Sequence, residues 1–131
     1  MEIKTHLLAH GPLLGTPVRV VDGKYAIVNL IAIENMVVDK EGLVHGGFTF
    51  GLADYAAMLA VNDPNVVIGR ANVRFIAPVK RGDMMVAEAT VVEKINNKRV
   101  VSVVVKVEEK PVLNGELTCF VLEKHVLTEL Q

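Results

Sequence analysis

LVHGGFTFGLADYAA, Leu43 to Ala57, is the most informative stretch of this chain. From Gly46 to about Asn62 the sequence is rich in Ala, Leu and Met and free of proline. It is long enough for four turns, which predicts one long helix. Apolar residues fall on nearly every side of that helix, so it is expected to be buried all round and not along a single stripe. Asn62-Asp63-Pro64 ends it, because proline cannot continue a helix and disfavours one in the residue before it. Gly46 and Gly47 are poor helix formers, so their place at the start implies that something approaches the backbone closely. The first N–H groups of a helix have no internal partner and carry partial positive charge. They can hold a carbonyl oxygen as it becomes negative. Asp54 lies two turns further on, between Ala53 and Tyr55. A carboxylate in such a setting is neutralised, hydrogen-bonded to a neighbouring strand, or functional, since desolvation raises its pKa toward the range of a working base.

The surroundings predict what wraps this helix. Valine is the commonest residue, stiff at χ1 and suited to pleated, half-buried surfaces. Pro17–Val21 and Tyr25–Ile33 read as a strand pair joined by Asp22-Gly23, a dipeptide that tolerates a tight hairpin. Glu34–Val44 reads as a loop made sticky by Met36, Val37 and Val38. After Pro64 come four strand-like runs: Val66 to Ala77, Met84 to Lys94, Arg99 to Glu108 and Val112 to Lys124. Pro78–Asp83 (PVKRGD), Asn96-Asn97-Lys98 and Glu109-Lys110-Pro111 are the expected turns. Asn114-Gly115 competes for the last turn; the earlier one leaves both final strands long enough to pair and makes Gly115 a bulge. From Val67 to Phe75, alternation puts Val67, Gly69, Ala71, Val73 and Phe75 on the helix-facing side, with Arg70, Asn72 and Arg74 opposite. A short N-terminal helix is expected over Met1–His10 from the spacing of Ile3, Leu7 and Leu8. These elements predict one α+β domain over residues 1–131, a curved antiparallel sheet of about six strands around one central helix.

Composition narrows the function. The 131 residues are 51% hydrophobic, with 14 Lys and Arg against 15 Asp and Glu, a net charge of −1. No one-signed field exists for binding nucleic acid or an anionic membrane by charge. No apolar run approaches the roughly 20 residues of a bilayer span, so the hydrophobicity is expected inside the protein or between its copies. One cysteine, Cys119, cannot close an internal disulfide. With no basic and apolar leader at the N-terminus, a cytoplasmic location is expected. Cys119 reads as a small core hydrophobe, because reactive thiols need an exposed, electropositive setting. His6, His10 and His125 share no ligand spacing with an acid cluster, so no metal is expected. Phe48, Phe50 and Met58 read as core or pocket lining.

His45-Gly46-Gly47, apolar residues, then Leu52-Ala53-Asp54, with Gly47 seven positions before Asp54, resembles the hot-dog acyl-CoA thioesterases of the phenylacetate-degradation and 4-hydroxybenzoyl-CoA type. The resemblance includes the PVKRGD turn and covers roughly Glu34 to Val121. It implies a hot-dog homodimer, often a dimer of dimers, with each site at a subunit boundary and the acyl-CoA pantetheine threaded between protomers. It implies that the Gly46 N–H polarises the thioester carbonyl. Asp54 would activate water or attack directly to give a mixed anhydride. His45 would shape the pocket or touch the carbonyl, or simply hold the loop. No cofactor is implied beyond the CoA of the substrate. For its phosphates, Arg70, Arg74, Lys80 and Arg81 are the candidates, against the plainer reading that they are solvated surface charges.

Two positions depart from the family pattern. Asp39 stands six residues before His45, where many of these enzymes have Asn, and apolar Ile68 stands ten residues before Pro78, where a Ser or Thr often holds the attacking water. The segment from Phe48 to Asn62 also resembles hot-dog proteins suspected only of binding acyl-CoA. A non-catalytic acyl-CoA or lipid-binding protein is therefore the alternative. Hydration of an enoyl thioester is a third option, which would use His45 and Asp54, but such enzymes usually lack the glycine pair.

Overall fold

The protein is described here by a computed structural model covering residues 1–129. Its elements are β1 (Thr16–Val21), β2 (Tyr25–Ile31), α1 (Gly46–Val61), β3 (Val66–Phe75), β4 (Met84–Ile95), β5 (Lys98–Val107), β6 (Lys110–Val121) and α2 (Val126–Glu129). The six strands form one antiparallel sheet in the order β1-β2-β4-β5-β6-β3. The sheet wraps α1, as expected of a hot-dog fold. None of the described helices is long and apolar enough to cross a membrane.

Small residues let the sheet close on the helix. One cross-sheet row runs Val20, Ala26, Ala89, Val103, Gly115, Val73. The next runs Val28, Ala87, Val105, Leu113, Phe75. On α1, Leu52, Ala53, Ala56, Ala57, Leu59 and Ala60 are fully buried, so helix and sheet approach through alanine, and the larger side chains fill the gaps. Asn62 ends α1 in the left-handed conformation, its N–H donating to the Met58 carbonyl at 2.8 Å, two residues before Pro64.

Several local expectations need correction. Met1–His10 is not a helix. Its backbone is captured by Asn62, whose Oδ1 accepts from the Lys4 N–H and whose Nδ2 donates to the Glu2 carbonyl, both at 2.8 Å. Ten residues with Leu7 and Leu8 left exposed have no packed face to stabilise a helix. The sticky loop after β2 contains a short 3-10 turn, Glu34–Met36, that sinks Met36 into the core. The β5–β6 turn falls on Glu108 and Glu109, both at positive φ, so Lys110 and Pro111 already belong to β6.

The bulge in β6 is accordingly at Val112, skipped between Leu113 opposite Val105 and Pro111 opposite Lys106. Gly115 pairs regularly with Val103 and Val73. Its special role is steric: at φ +154°, an added Cβ would lie 2.1 Å from the Asn72 carbonyl oxygen. β3 has its own bulge between Ile68 and Arg70, so the alternation resets at Gly69. Val66 and Ile68 pack on the core before the bulge and Val73 after it, which moves Val67 off the helix-facing side.

Gly115→Ala is expected to force β3 and β6 apart and to lower the unfolding free energy by about 2 kcal/mol or more, read as a shift of the urea midpoint.

Candidate functional site

The start of α1 is built by His45. Its backbone is extended, and its N–H donates to the Met36 carbonyl at 2.9 Å, fixing the approach to the helix. Its Nδ1 accepts from the Gly47 N–H at 2.7 Å, an N-cap made by imidazole where Ser or Asp is usual. The Phe48 N–H donates to the His45 carbonyl at 3.0 Å. Of the first three helical N–H groups, two are therefore occupied. The Gly46 N–H has no acceptor among the described residues. Gly46 is among the residues around a cleft of about 250 Å³, with Val44, Thr49, Phe75, Ile76 and Val79. A Cβ at Gly46 would press on the Phe75 ring at 3.2 Å, and one at Gly47 on the His45 ring at 3.1 Å. Both glycines are thus explained by close approach. Gly47 serves the cap, and Gly46 leaves an open donor.

Asp54 sits on α1 between two fully covered residues, Ala53 and Tyr55. Its Oδ1 is buried without a hydrogen-bond partner. Desolvation raises its carboxyl above the ordinary value, partly offset by the charge of His6. The bland alternative, a carboxylate tied to a neighbouring strand, is not what this geometry contains. His6 is the residue that sequence reasoning missed. Its spacing fits no metal-ligand pattern, and nothing in local sequence links it to a helix that begins 40 positions further on. The N-terminal segment carries it onto α1, where its ring centroid lies 6.4 Å from that of Tyr55. Ile3, His6, Leu7, Thr16, Pro17 and Tyr55 are among the residues around a second cleft of about 270 Å³.

The other candidates are dispersed. Asp39 is exposed, and its Oδ1 accepts from the Glu41 and Leu43 N–H groups at 3.0 and 3.2 Å, a loop clamp and no second acid at Asp54. Ile68 packs against the core opposite Cys119, so it can hold no water by hydrogen bonding. Arg70, Arg74, Lys80 and Arg81 are all exposed. Arg70 lines an outer-face groove with Glu93, Lys98 and Glu116, and Arg81 pairs with Glu34. Cys119 is buried, and its thiol is pushed up to about 12 by desolvation first and the Asp54 charge second. Among the described residues there is no cluster of three or more His, Cys, Asp or Glu side chains able to hold a metal.

Residues 41–113 match the family model described as the thioesterase superfamily, and the chain belongs to that superfamily. Among solved structures, an uncharacterized protein from Pyrococcus horikoshii superposes with TM-score 0.94 at 56% identity, covering 97% of each chain. A mutant of the phenylacetic acid degradation protein PaaI from Thermus thermophilus superposes with TM-score 0.75 at 28% identity, over 83% of this chain and 95% of that one. Of curated relatives, the methylthioribose-1-phosphate isomerase of Aquifex aeolicus is 48% identical over 94% of this chain, which spans only 27% of that protein. The transcription factor FapR of Caldanaerobacter subterraneus is 36% identical over 80% of this chain and 52% of its own. The chain thus spans about a quarter to a half of these curated relatives.

Because burial raises the folded-state carboxyl of Asp54 above its unfolded value, the fold favours the protonated form. That contribution is fully present below the ordinary value of 3.8 and is lost as pH rises through the folded-state value. Asp54→Asn is therefore expected to gain stability relative to wild type as pH climbs from about 3.5 to about 7, by about 1.4 kcal/mol for each unit of elevation. Urea unfolding of both proteins across that range measures it.

Proposed function

We propose that this chain is an acyl-CoA thioesterase, hydrolysing a thioester to the free acid and CoA. The observation that carries the reading is an unpaired, desolvated carboxylate oxygen on the same helix whose first residue, Gly46, lines a cleft and has an N–H without an acceptor among the described residues. Asp54 takes a proton from water as the water oxygen attacks the thioester carbon. The carbonyl oxygen, now negative, accepts from the Gly46 N–H. Collapse breaks the carbon–sulfur bond, and the proton passes to the departing CoA sulfur. Direct attack by the carboxylate, giving a mixed anhydride that water then cleaves, uses the same residues. His45 holds the helix start in this scheme, and no cofactor takes part beyond the CoA of the substrate.

A second copy completes the site. Gly46 and Asp54 are eight residues apart on α1, which at about 1.5 Å per residue is about 12 Å along the axis, too far for one thioester to meet both within one chain. Two copies with antiparallel helices bring the Gly46 end of one against Asp54 of the other. β3 is an edge strand of the sheet, and Phe75 and Ile76 at its end are 58% and 49% exposed beside Gly46, which suits such a homodimer or a dimer of dimers. Arg70, Arg74, Lys80 and Arg81 are the candidates for the CoA phosphates. A buried lone cysteine fits a reducing, cytoplasmic setting.

One observation favours a second reading, acyl-CoA binding without hydrolysis: Ile68 offers no hydroxyl to hold the attacking water. Incubation with acyl-CoAs of graded length, with free thiol as readout, separates the two. Wild type is expected to release CoA, and Asp54→Ala to lose about 100-fold or more of that rate while still binding the substrate. Binding without release by wild type at every chain length would establish the second reading.

A further inference from the structure

We propose that the outer face of the sheet, across β4, β5, β6 and β3, is an interface for a second copy of this chain, with Glu88 and Glu93 of one copy meeting Arg74 and Arg70 of the other. In the pairing register, one cross-strand row on that face runs Glu88, Val104, Asn114, Arg74, and another runs Glu93, Val100, Thr118, Arg70. Between them lies the row Thr90, Ser102, Glu116, Asn72. The residues that alternate with these on β4 and β5, among them Ala87, Ala89, Val101, Val103 and Val105, are buried, so the rows point outward. The β4 bulge between Val91 and Glu93 keeps Glu93 on this side, where it shares a groove of about 290 Å³ with Arg70, Val100 and Thr118.

Two rows thus carry a carboxylate on β4 and a guanidinium on β3, three strand spacings or about 14 Å apart, too far to pair within one chain. Among the described residues, Arg70 and Arg74 are in no ion pair, and Glu93 and Glu88 reach Lys98 and Lys106 only at 3.9 and 4.0 Å, beyond hydrogen-bond length. A two-fold axis along the strands, midway between β5 and β6, satisfies all four. It lays β4 over β3 of the other copy and β5 over its β6, row upon row. Glu88 then faces Arg74, Glu93 faces Arg70, and symmetry repeats each contact. In the row between, Ser102 faces Glu116 and can donate its hydroxyl to the carboxylate. An axis across the strands would instead set Glu88 against Glu93 and Arg70 against Arg74, so the charges select one orientation. Shape agrees with charge. A sheet wrapped around α1 is convex outside, so two such faces come closest at the axis and diverge toward β4 and β3. Val100, Val104, Thr118 and Asn114 stand near the axis, and the long Glu and Arg side chains stand where the gap is wide. The rows share no residue with the Gly46 cleft, which this contact leaves open. It takes Arg70 and Arg74 from the candidates for the CoA phosphates and leaves Lys80 and Arg81.

The test counts chains per particle by sedimentation equilibrium of the full chain, without substrate, so its outcome is independent of hydrolysis. Arg70→Glu with Arg74→Glu sets acid against acid across the axis, and Glu88→Arg with Glu93→Arg sets base against base. Each double variant alone is expected to hold half as many chains as wild type, with the dissociation constant of that step raised about 100-fold or more. Mixed in equal amounts, the two are expected to recover the wild-type number, because every contact is again acid on base; recovery also shows that both are folded. In wild type, which needs no variant to fold, the same step is expected to weaken as sodium chloride is raised. A chain number that neither reversal changes, or folded variants by circular dichroism that do not recombine, would overturn the interface. So would an arginine reversal that weakens CoA binding and leaves the chain number as it was, since the arginines would then hold the nucleotide phosphates.

Discussion

The structure depends on burying one helix on nearly every side. A sheet can curve around α1 only if the two surfaces approach closely, and the alanines of α1 facing a row that contains Ala26, Ala89 and Gly115 permit that approach. Each larger buried side chain, such as Leu52 or Leu59, adds about 1.5–3 kcal/mol by leaving water. Excluding water from the helix also makes each polar group on it expensive. Thr49 is left with the Met85 sulfur at 3.7 Å, and Asp54 with an oxygen that has no partner.

That constraint bears on the candidate residues along one helix, Gly46 at its start and Asp54 at its middle. At the N-terminal end, a histidine cap consumes the Gly47 N–H and leaves Gly46 facing a cleft. Further along, Asp54 precedes Tyr55, whose ring centroid lies 6.4 Å from that of His6 on the N-terminal segment. A closed sheet would cover both. This one stops at β3 on one side and β1 on the other, and the cleft at Gly46 lies beside the end of β3. Phe75 shows the economy of the arrangement, since it ends the edge strand and also walls the Gly46 cleft.

Electrostatics sharpens the contrast between the protein's carboxylates. Asp39 is surrounded by backbone donors at the surface, Asp22 receives Asn62 and Lys4, and Glu34 meets Arg81. Exposed pairs of this kind contribute about 0–1 kcal/mol each and mainly hold loops in place. Asp54 alone of these has a burial cost without a donor to offset it, and the charge acting on it comes from a histidine far away in sequence.

The amino-acid sequence by itself determined the elements with strong local signals. The proline-free, alanine-rich run made α1, the valine-rich runs made the six strands, and Asp22-Gly23 turned the first hairpin. It also marked His45, Gly46 and Asp54, because glycines at a helix start and an acid in an apolar run violate local preference and ask for a reason. Tertiary structure decided what depends on neighbours distant along the chain. Asn62 captured the backbone of the N-terminal segment and overrode its helical spacing. The bulge at Gly69 reset an alternation that reads as unbroken in one dimension, and Gly115 proved to be a point of strand contact. The placing of His6 against Tyr55 of α1 had no trace in local pattern, since proximity between residues so distant in the chain is set by packing and not by periodicity.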